Sequence, residues 1–204
     1  MDLSGQHPGT RFATLAVVVS LATTTGCTAP DEHGAALSAA VASVAMTSTE
    51  RLANDLSEAD AAFERGDSET LAQRLRSIDL AGATPSDASG KDALQEWRAS
   101  APKETRALRG RVLGPAYLSG TLAPGALVDT EQLLMGGKSV SIAAGTAPRE
   151  GVHLRIARAD GKTVCEQSPA HARECRFVPT YTQRYRIELR NSGKRDARYH
   201  IVFD

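Results

Sequence analysis

The sequence predicts an all-β antiparallel sandwich, jelly-roll-like, preceded by an N-terminal α-helical region. Three observations carry this. The apolar period changes from helical to two near Thr105. From there, regularly spaced turn signals divide the chain into about eight short alternating segments. The charge changes sign at about the same place: residues 27–100 hold 6 basic and 13 acidic side chains, a net of −7, and residues 101–204 hold 17 and 10, a net of +7. The whole 204-residue chain balances 24 basic against 24 acidic residues. That balance argues against a wholly basic nucleic-acid binder and against an acidic disordered chain.

The longest apolar run, residues 12–22, is too short for a membrane-spanning helix, which needs about 20 residues. It fits the apolar region of a signal peptide, with Arg11 just before it. The following Thr24-Thr25-Gly26-Cys27 resembles the lipobox of bacterial lipoproteins. The resemblance implies that residues 1–26 are a removed signal peptide and that Cys27 becomes the diacylated, palmitate-bearing first residue. A plain cleaved signal is the competing reading. Thr28, where an aspartate would signal retention, implies the periplasmic face of the outer membrane if the host is Gram-negative.

Cysteine counting agrees. With Cys27 carrying lipid, Cys165 and Cys175 remain as a pair. Export supplies an oxidising compartment, so a disulfide is expected, stabilising by about 2.5–3 kcal/mol on the chain-entropy model. The alternatives are two free thiols or a metal pair, but no further cysteine or histidine pattern completes a zinc site.

Residues 27–34 read as a tether and 35–100 as the helical region. Residues 35–46 are alanine-rich and uncharged. Thr47-x-x-Glu50 is a capping-box pattern. Leu52, Leu56, Ala59 and Phe63 then form an amphipathic stripe. Gly66-Asp67 ends that helix and caps the next, whose stripe is Leu71, Leu75 and Ile78. Residues 81–90 read as a linker, and 91–100 as a third helix with Leu94 and Trp97 on one side. The joint is similar to a tetratricopeptide hairpin, but repeat folds need about three copies, which excludes a solenoid.

Residues 105–204 read as the sandwich domain. Val140 and Ile142, then Val152, Leu154 and Ile156, then Tyr185, Ile187 and Leu189, then Tyr199, Ile201 and Phe203 alternate with residues expected to face water, among them His153, Arg155, His200 and Val202. Turn signals lie at Ala123-Pro124-Gly125, Gly136-Gly137, Asp160-Gly161 and Asn191-Ser192-Gly193. The runs Gly137-Lys-Ser-Val-Ser-Ile, Val152-His-Leu-Arg-Ile, Asp160-Gly-Lys-Thr-Val-Cys165, Cys175-Arg-Phe-Val-Pro-Thr-Tyr and Tyr199-His-Ile-Val-Phe together resemble the bacterial pre-peptidase C-terminal domain over about residues 110–204. The resemblance implies a β-sandwich appended to secreted or envelope proteins. Two departures limit it. His153 and Arg155 stand where such domains often carry an Asp-x-Asp calcium pair, and Gln183 replaces a usual turn glycine.

No catalytic, metal or cofactor site is predicted. The serine elbow, the zinc-protease helix motif, the phosphate loop and the dinucleotide fingerprint are all missing from the sequence. Of the histidines, His7 falls in the signal, His33 in the tether, His171 between the paired cysteines, and His153 and His200 on polar strand faces. Asp129 and Glu131 read as the wet face of one strand. Tyr185 and Tyr199 fall in the inward register and Tyr181 reads as bracing a strand corner, leaving Tyr117 as the free tyrosine for sugar stacking.

The expectation is therefore an exported, lipid-anchored envelope protein acting as a non-enzymatic binding or structural module. Its expected partners are the membrane, through the anchor, and an envelope protein or anionic glycan, with no nucleic acid. The alternative is an accessory or catalytic component of envelope glycan or peptide turnover. The opposed charges allow two uses: the halves dock on each other, or the basic sandwich faces an anionic polymer.

Overall fold

A computed structural model describes residues 45–102 and 114–204. The expected signal peptide, Cys27, the tether and residues 35–44 lie outside the described residues, as do residues 105–113 of the expected sandwich. In chain order the elements are α1 (Ser48–Arg65), α2 (Ser68–Ala81), β1 (Thr84–Pro85), α3 (Ala88–Ser100), β2 (Ala116–Leu122), β3 (Leu127–Leu134), β4 (Val140–Ala147), β5 (Val152–Arg158), β6 (Thr163–Gln167), β7 (Glu174–Phe177), β8 (Gln183–Asn191) and β9 (Ala197–Phe203).

The helix ends form where the side chains dictate. Thr47 and Glu50 make the reciprocal capping box at the start of α1. Gly66 ends α1 at φ 68°, a left-handed conformation that suits glycine. The Asp67 carboxylate accepts from the Thr70 N–H and caps α2, and these hydrogen bonds hold its pKa below the usual carboxylate range. Asp87 caps α3 by accepting from the Gly90 N–H, so that helix begins at Ala88, three residues before the expected start. The expected linker also holds a two-residue strand, β1, parallel to β2. It forms because Thr84 N–H donates to the Pro115 carbonyl and Ser86 N–H to that of Tyr117.

The strands form two sheets. One has the order β1-β2-β9-β4-β7 and the other β3-β8-β5-β6. Apart from β1 with β2, the paired strands are antiparallel. The inner faces meet in an aliphatic core that includes Ile142, Leu154, Ile156, Ile187, Leu189 and Ile201, with Tyr185 and Tyr199 as expected. The fold is thus the sandwich with N-terminal helices that the periodicity predicts.

The helices cover the second face of the larger sheet. Leu52, Leu56, Leu71, Leu75, Ile78, Leu94 and Trp97 form one core with Tyr117, Ala143 and Val202. The larger sheet is consequently buried on both faces. Val202 and His200, expected to face water, lie beneath helices instead. Gly145 makes the close approach of α1 to β4 possible, because a Cβ there would collide with the Ala53 carbonyl oxygen. The Ser57 hydroxyl then donates to the Thr146 carbonyl at 3.2 Å.

Cys165 and Cys175 are joined in a disulfide with Cα atoms 5.8 Å apart. Cys165 is on β6 and Cys175 on β7, the edge strands of different sheets. The bridge therefore ties the two layers together along one side of the sandwich.

Candidate functional site

The helix–sheet seam brings together side chains far apart in sequence. Ser119 on β2 and His200 on β9 are direct cross-strand partners, and both point toward the helices. The Ser119 Oγ lies 2.8 Å from His200 Nδ1. From α1, Asp60 Oδ2 lies 3.5 Å from His200 Nε2. Placing the ring proton on Nε2, toward the carboxylate, leaves Nδ1 to accept from the serine hydroxyl. Ser119, His200 and Asp60 are all buried.

The surrounding groups fix this arrangement. The other Asp60 oxygen, Oδ1, accepts from Arg198 Nη1 at 2.7 Å, and Arg198 Nη2 lies 2.8 Å from Glu64 Oε1. The Trp97 indole meets the His200 ring edge-on, with centroids 5.8 Å apart. The Ser119 N–H donates to Asp87 Oδ2, so the residue that caps α3 also pins β2. A cleft of about 240 Å³ opens over these groups, with Phe63, Asp92, Glu96 and Thr121 on its walls. It combines the partly exposed Phe63 ring, several carboxylates and one guanidinium already engaged by acid, above the buried Trp97. Chemically it can take a ligand carrying an apolar part and hydrogen-bond donors.

The sequence-based candidates fall as follows. Cys27 is outside the described residues, and Cys165 and Cys175 are bonded to each other. His153 on β5 and His200 on β9 lie in different sheets. His200 is not a solvated strand histidine, because the helix layer covers its face of β9. Asp129 and Glu131 sit on the exposed face of β3, near Arg186 at 3.5 Å and Arg184 at 4.0 Å. Among the described residues, no group of three or more His, Cys, Asp or Glu is placed to hold a metal.

Tyr117 is not the free tyrosine. It is fully buried beneath the helices with its hydroxyl unpaired, and burial pushes its pKa up. Tyr181 is the exposed one, at 74%. Its corner is held by backbone, with Gly137 N–H donating to the Pro179 carbonyl at 2.8 Å. The Ser119–His200–Asp60 set escapes sequence reasoning because its members span 140 residues and belong to no local motif.

His171 is a half-buried histidine. Its Nδ1 accepts from the Thr146 N–H at 3.0 Å, and its Nε2 is buried without a hydrogen-bond partner. Burial, helped by the charge of Arg149, lowers its pKa.

No protein-family model matches the chain, and no curated protein matches it. Solved structures do share part of it. PliG from Aeromonas hydrophila, a periplasmic inhibitor of g-type lysozyme, aligns at 8% identity over 44% of this chain and 84% of its own, with a TM-score of 0.37. The pre-peptidase C-terminal domain of a Bacillus anthracis collagenase aligns at 13% identity over 43% of this chain and 87% of its own, with a TM-score of 0.39. The Yersinia pseudotuberculosis-derived mitogen aligns at 12% identity over 44% and 84%, with a TM-score of 0.38. Each likeness covers less than half of this chain.

Proposed function

We propose that the chain is an exported envelope protein, lipid-anchored through Cys27, that works as a non-enzymatic binding module and contacts its ligand at the cleft beside Trp97 and His200. The observation that carries this reading is the Cys165–Cys175 disulfide. A structural disulfide of this kind belongs to an oxidising compartment, and it accounts for two of the three cysteines, leaving Cys27 in its lipobox-like setting for lipid. The binding role is supported by an open cleft whose accessible walls are Phe63, Asp92, Glu96, Thr121 and Arg198, held in place by the buried Asp60–His200–Ser119 network beneath it. An envelope protein or a glycan is the class of ligand in view. Labelled palmitate should mark the wild-type chain and not Cys27→Ala; equal labelling of both would end the lipoprotein reading. Pull-down on isolated envelope polymers and proteins, repeated with the exposed lining residues changed in Asp92→Lys and Glu96→Lys, tests the cleft.

One arrangement favours a second reading, a catalytic component of envelope turnover. Ser119, His200 and Asp60 have the residue types of a serine nucleophile, its base and an orienting carboxylate. Two facts weigh against it. The carboxylate is 3.5 Å from the ring nitrogen, at ion-pair distance. Asp92 and Glu96 line the same cleft and would repel the oxyanion of acyl transfer. A fluorophosphonate probe that labels the wild type and not Ser119→Ala would establish the catalytic reading; no labelling of either leaves the cleft as a binding site.

A further inference from the structure

The exposed apolar side chains are not spread evenly. Among the described residues, eight large apolar side chains are exposed. Six of them, Met46, Leu80, Leu133, Met135, Val178 and Tyr181, gather at one end of the domain. The topology places them there. The β3–β4 turn and the β7–β8 loop lie side by side, joined by Gly137 N–H to the Pro179 carbonyl and by Gly136 N–H to Thr182 Oγ1. This brings Leu133, Met135, Val178 and Tyr181 together. The N-terminus of α1 points toward the same end, because Glu50 Oε1 accepts from the N–H of Glu174, which pairs with Ala143 in the first half of β4, and Met46 precedes Glu50 by a further four residues. Leu80, near the end of the antiparallel α2, lies next to Ser48 and Arg51 of that first turn. Between the sheets at this end, an apolar groove of about 270 Å³ is lined by Leu134, Val140 and Phe203. Lys138 borders it.

We propose that this end is a membrane-docking surface, on which Met46, Leu80, Leu133, Met135, Val178 and Tyr181 enter the interfacial region of a phospholipid bilayer. The inference rests on the proposed lipid anchor at Cys27. The chain itself points to the occupant. The described part begins at Ala45, at this same end, and the 18 residue steps from Cys27 to Ala45 span at most about 65 Å. An anchored chain holds its nearest surface at high effective concentration beside lipid. The side chains stand on loop tips, helix ends and, for Leu133, the end of strand β3 rather than on one flat face, which suits shallow insertion to a depth of about 5–10 Å. A tyrosine at the rim suits the interface, with its ring in the apolar layer and its hydroxyl in the wet one.

The docked orientation also places the cleft. α1 runs from Thr47 at the apolar end to Glu64 at the other, and β9 runs from Ala197 at the far end to Phe203 at the apolar one. The groups around Asp60, Thr121 and Arg198 therefore face away from the bilayer, toward soluble or wall-bound partners.

The experiment uses the full lipidated chain reconstituted into phospholipid vesicles that carry bromine high on their acyl chains. Tyr181→Trp and, separately, Met135→Trp should lose the added tryptophan emission in these vesicles relative to unbrominated ones. Leu127→Trp, an exposed position at the opposite end of β3, should not. Vesicle flotation is measured on the same samples. A chain that floats but shows no loss at position 181 or 135, or equal loss at 127, overturns the docked orientation and leaves the anchor standing. A chain that neither floats nor takes palmitate removes the anchor and the orientation together.

Discussion

Replacing Gly145 by alanine tests whether α1 is held against β4 by direct backbone approach. Two effects of opposite sign compete. Alanine reduces the freedom of the unfolded chain and by itself would stabilise by about 0.4–1 kcal/mol. Against this, its Cβ would collide with the Ala53 carbonyl and press on the Ser57 Cβ at 3.3 Å. The carbonyl belongs to the backbone of a packed helix, so α1 must move outward as a body. A shift of even about 0.5–1 Å forfeits a quarter to a half of each dispersion contact it loosens, and Leu52, Ala53 and Leu56 all lie in the loosened layer. Overpacking of this kind costs about 1–3 kcal/mol, and stretching the Ser57–Thr146 hydrogen bond adds about 1 kcal/mol. The net expectation is a loss of about 1–3 kcal/mol, read as a lower urea midpoint at unchanged slope. A Gly145→Ala protein as stable as wild type, or more so, would refute the reasoning, because it would mean that α1 does not rest on β4 at this residue.

Trp97→Ala removes a buried indole from the helix–sheet core and should cost about 3–5 kcal/mol in denaturant unfolding. Reducing the Cys165–Cys175 bridge should lower stability by about 2.5–3 kcal/mol; equal unfolding with and without reductant would show that the bridge does not constrain the chain. For His171, burial lowers the folded pKa, so the unfolded chain binds the proton more readily. Its contribution is full above the ordinary histidine value of about 6.5 and is lost as pH falls toward the folded value. Stability measured from about pH 7 to 5 should therefore fall less steeply in His171→Gln, and identical slopes would exclude this group. A double-mutant cycle of Asp60→Ala and Arg198→Ala should give a coupling of about 0.5–3 kcal/mol, and additivity would mean that the ion pair does not hold the seam.

The smaller sheet was legible in the sequence because one of its faces is wet. On β5 and β8, Val152, Leu154 and Ile156 and then Tyr185, Ile187 and Leu189 are buried, while the alternating His153, Arg155, Arg184, Arg186, Glu188 and Arg190 are more exposed, so a period of two appears directly. The larger sheet hid its second face. On β9, Tyr199, Ile201 and Phe203 carry the alternation, yet His200 and Val202 are buried as well. On β4 the covering helix demands small residues, and Ala143 and Gly145 give no strand signal of their own. The helix caps were legible because they are local: Thr47 with Glu50, and Asp67 with Thr70. The candidate site was not, because β2 and β9 meet only through sheet pairing, and Asp60 reaches them only when α1 docks.

The division of charge acquires a physical use in the same seam. Part of the acidic surplus of the first half faces the basic surplus of the second: Glu58 pairs with Arg149, and Asp60 and Glu64 hold Arg198. On the outer face of the smaller sheet, Arg155, Arg184 and Arg186 meet Glu188, Glu131 and Asp129 on neighbouring strands. Exposed pairs of this second kind contribute little to stability. They do, however, spread the positive charge among carboxylates, so that this face is not a continuous basic patch. A polymer attracted to the sandwich would have to displace those local pairs, whereas docking of the helices uses the opposed charges where they already lie. Asp60 is the point at which the two arguments join. It is buried, it closes the seam through Arg198, and its second oxygen faces the ring that holds Ser119. A ligand entering the cleft must therefore act on the same network that fastens the helices to the sheet, and binding there is coupled to the stability of the helical layer.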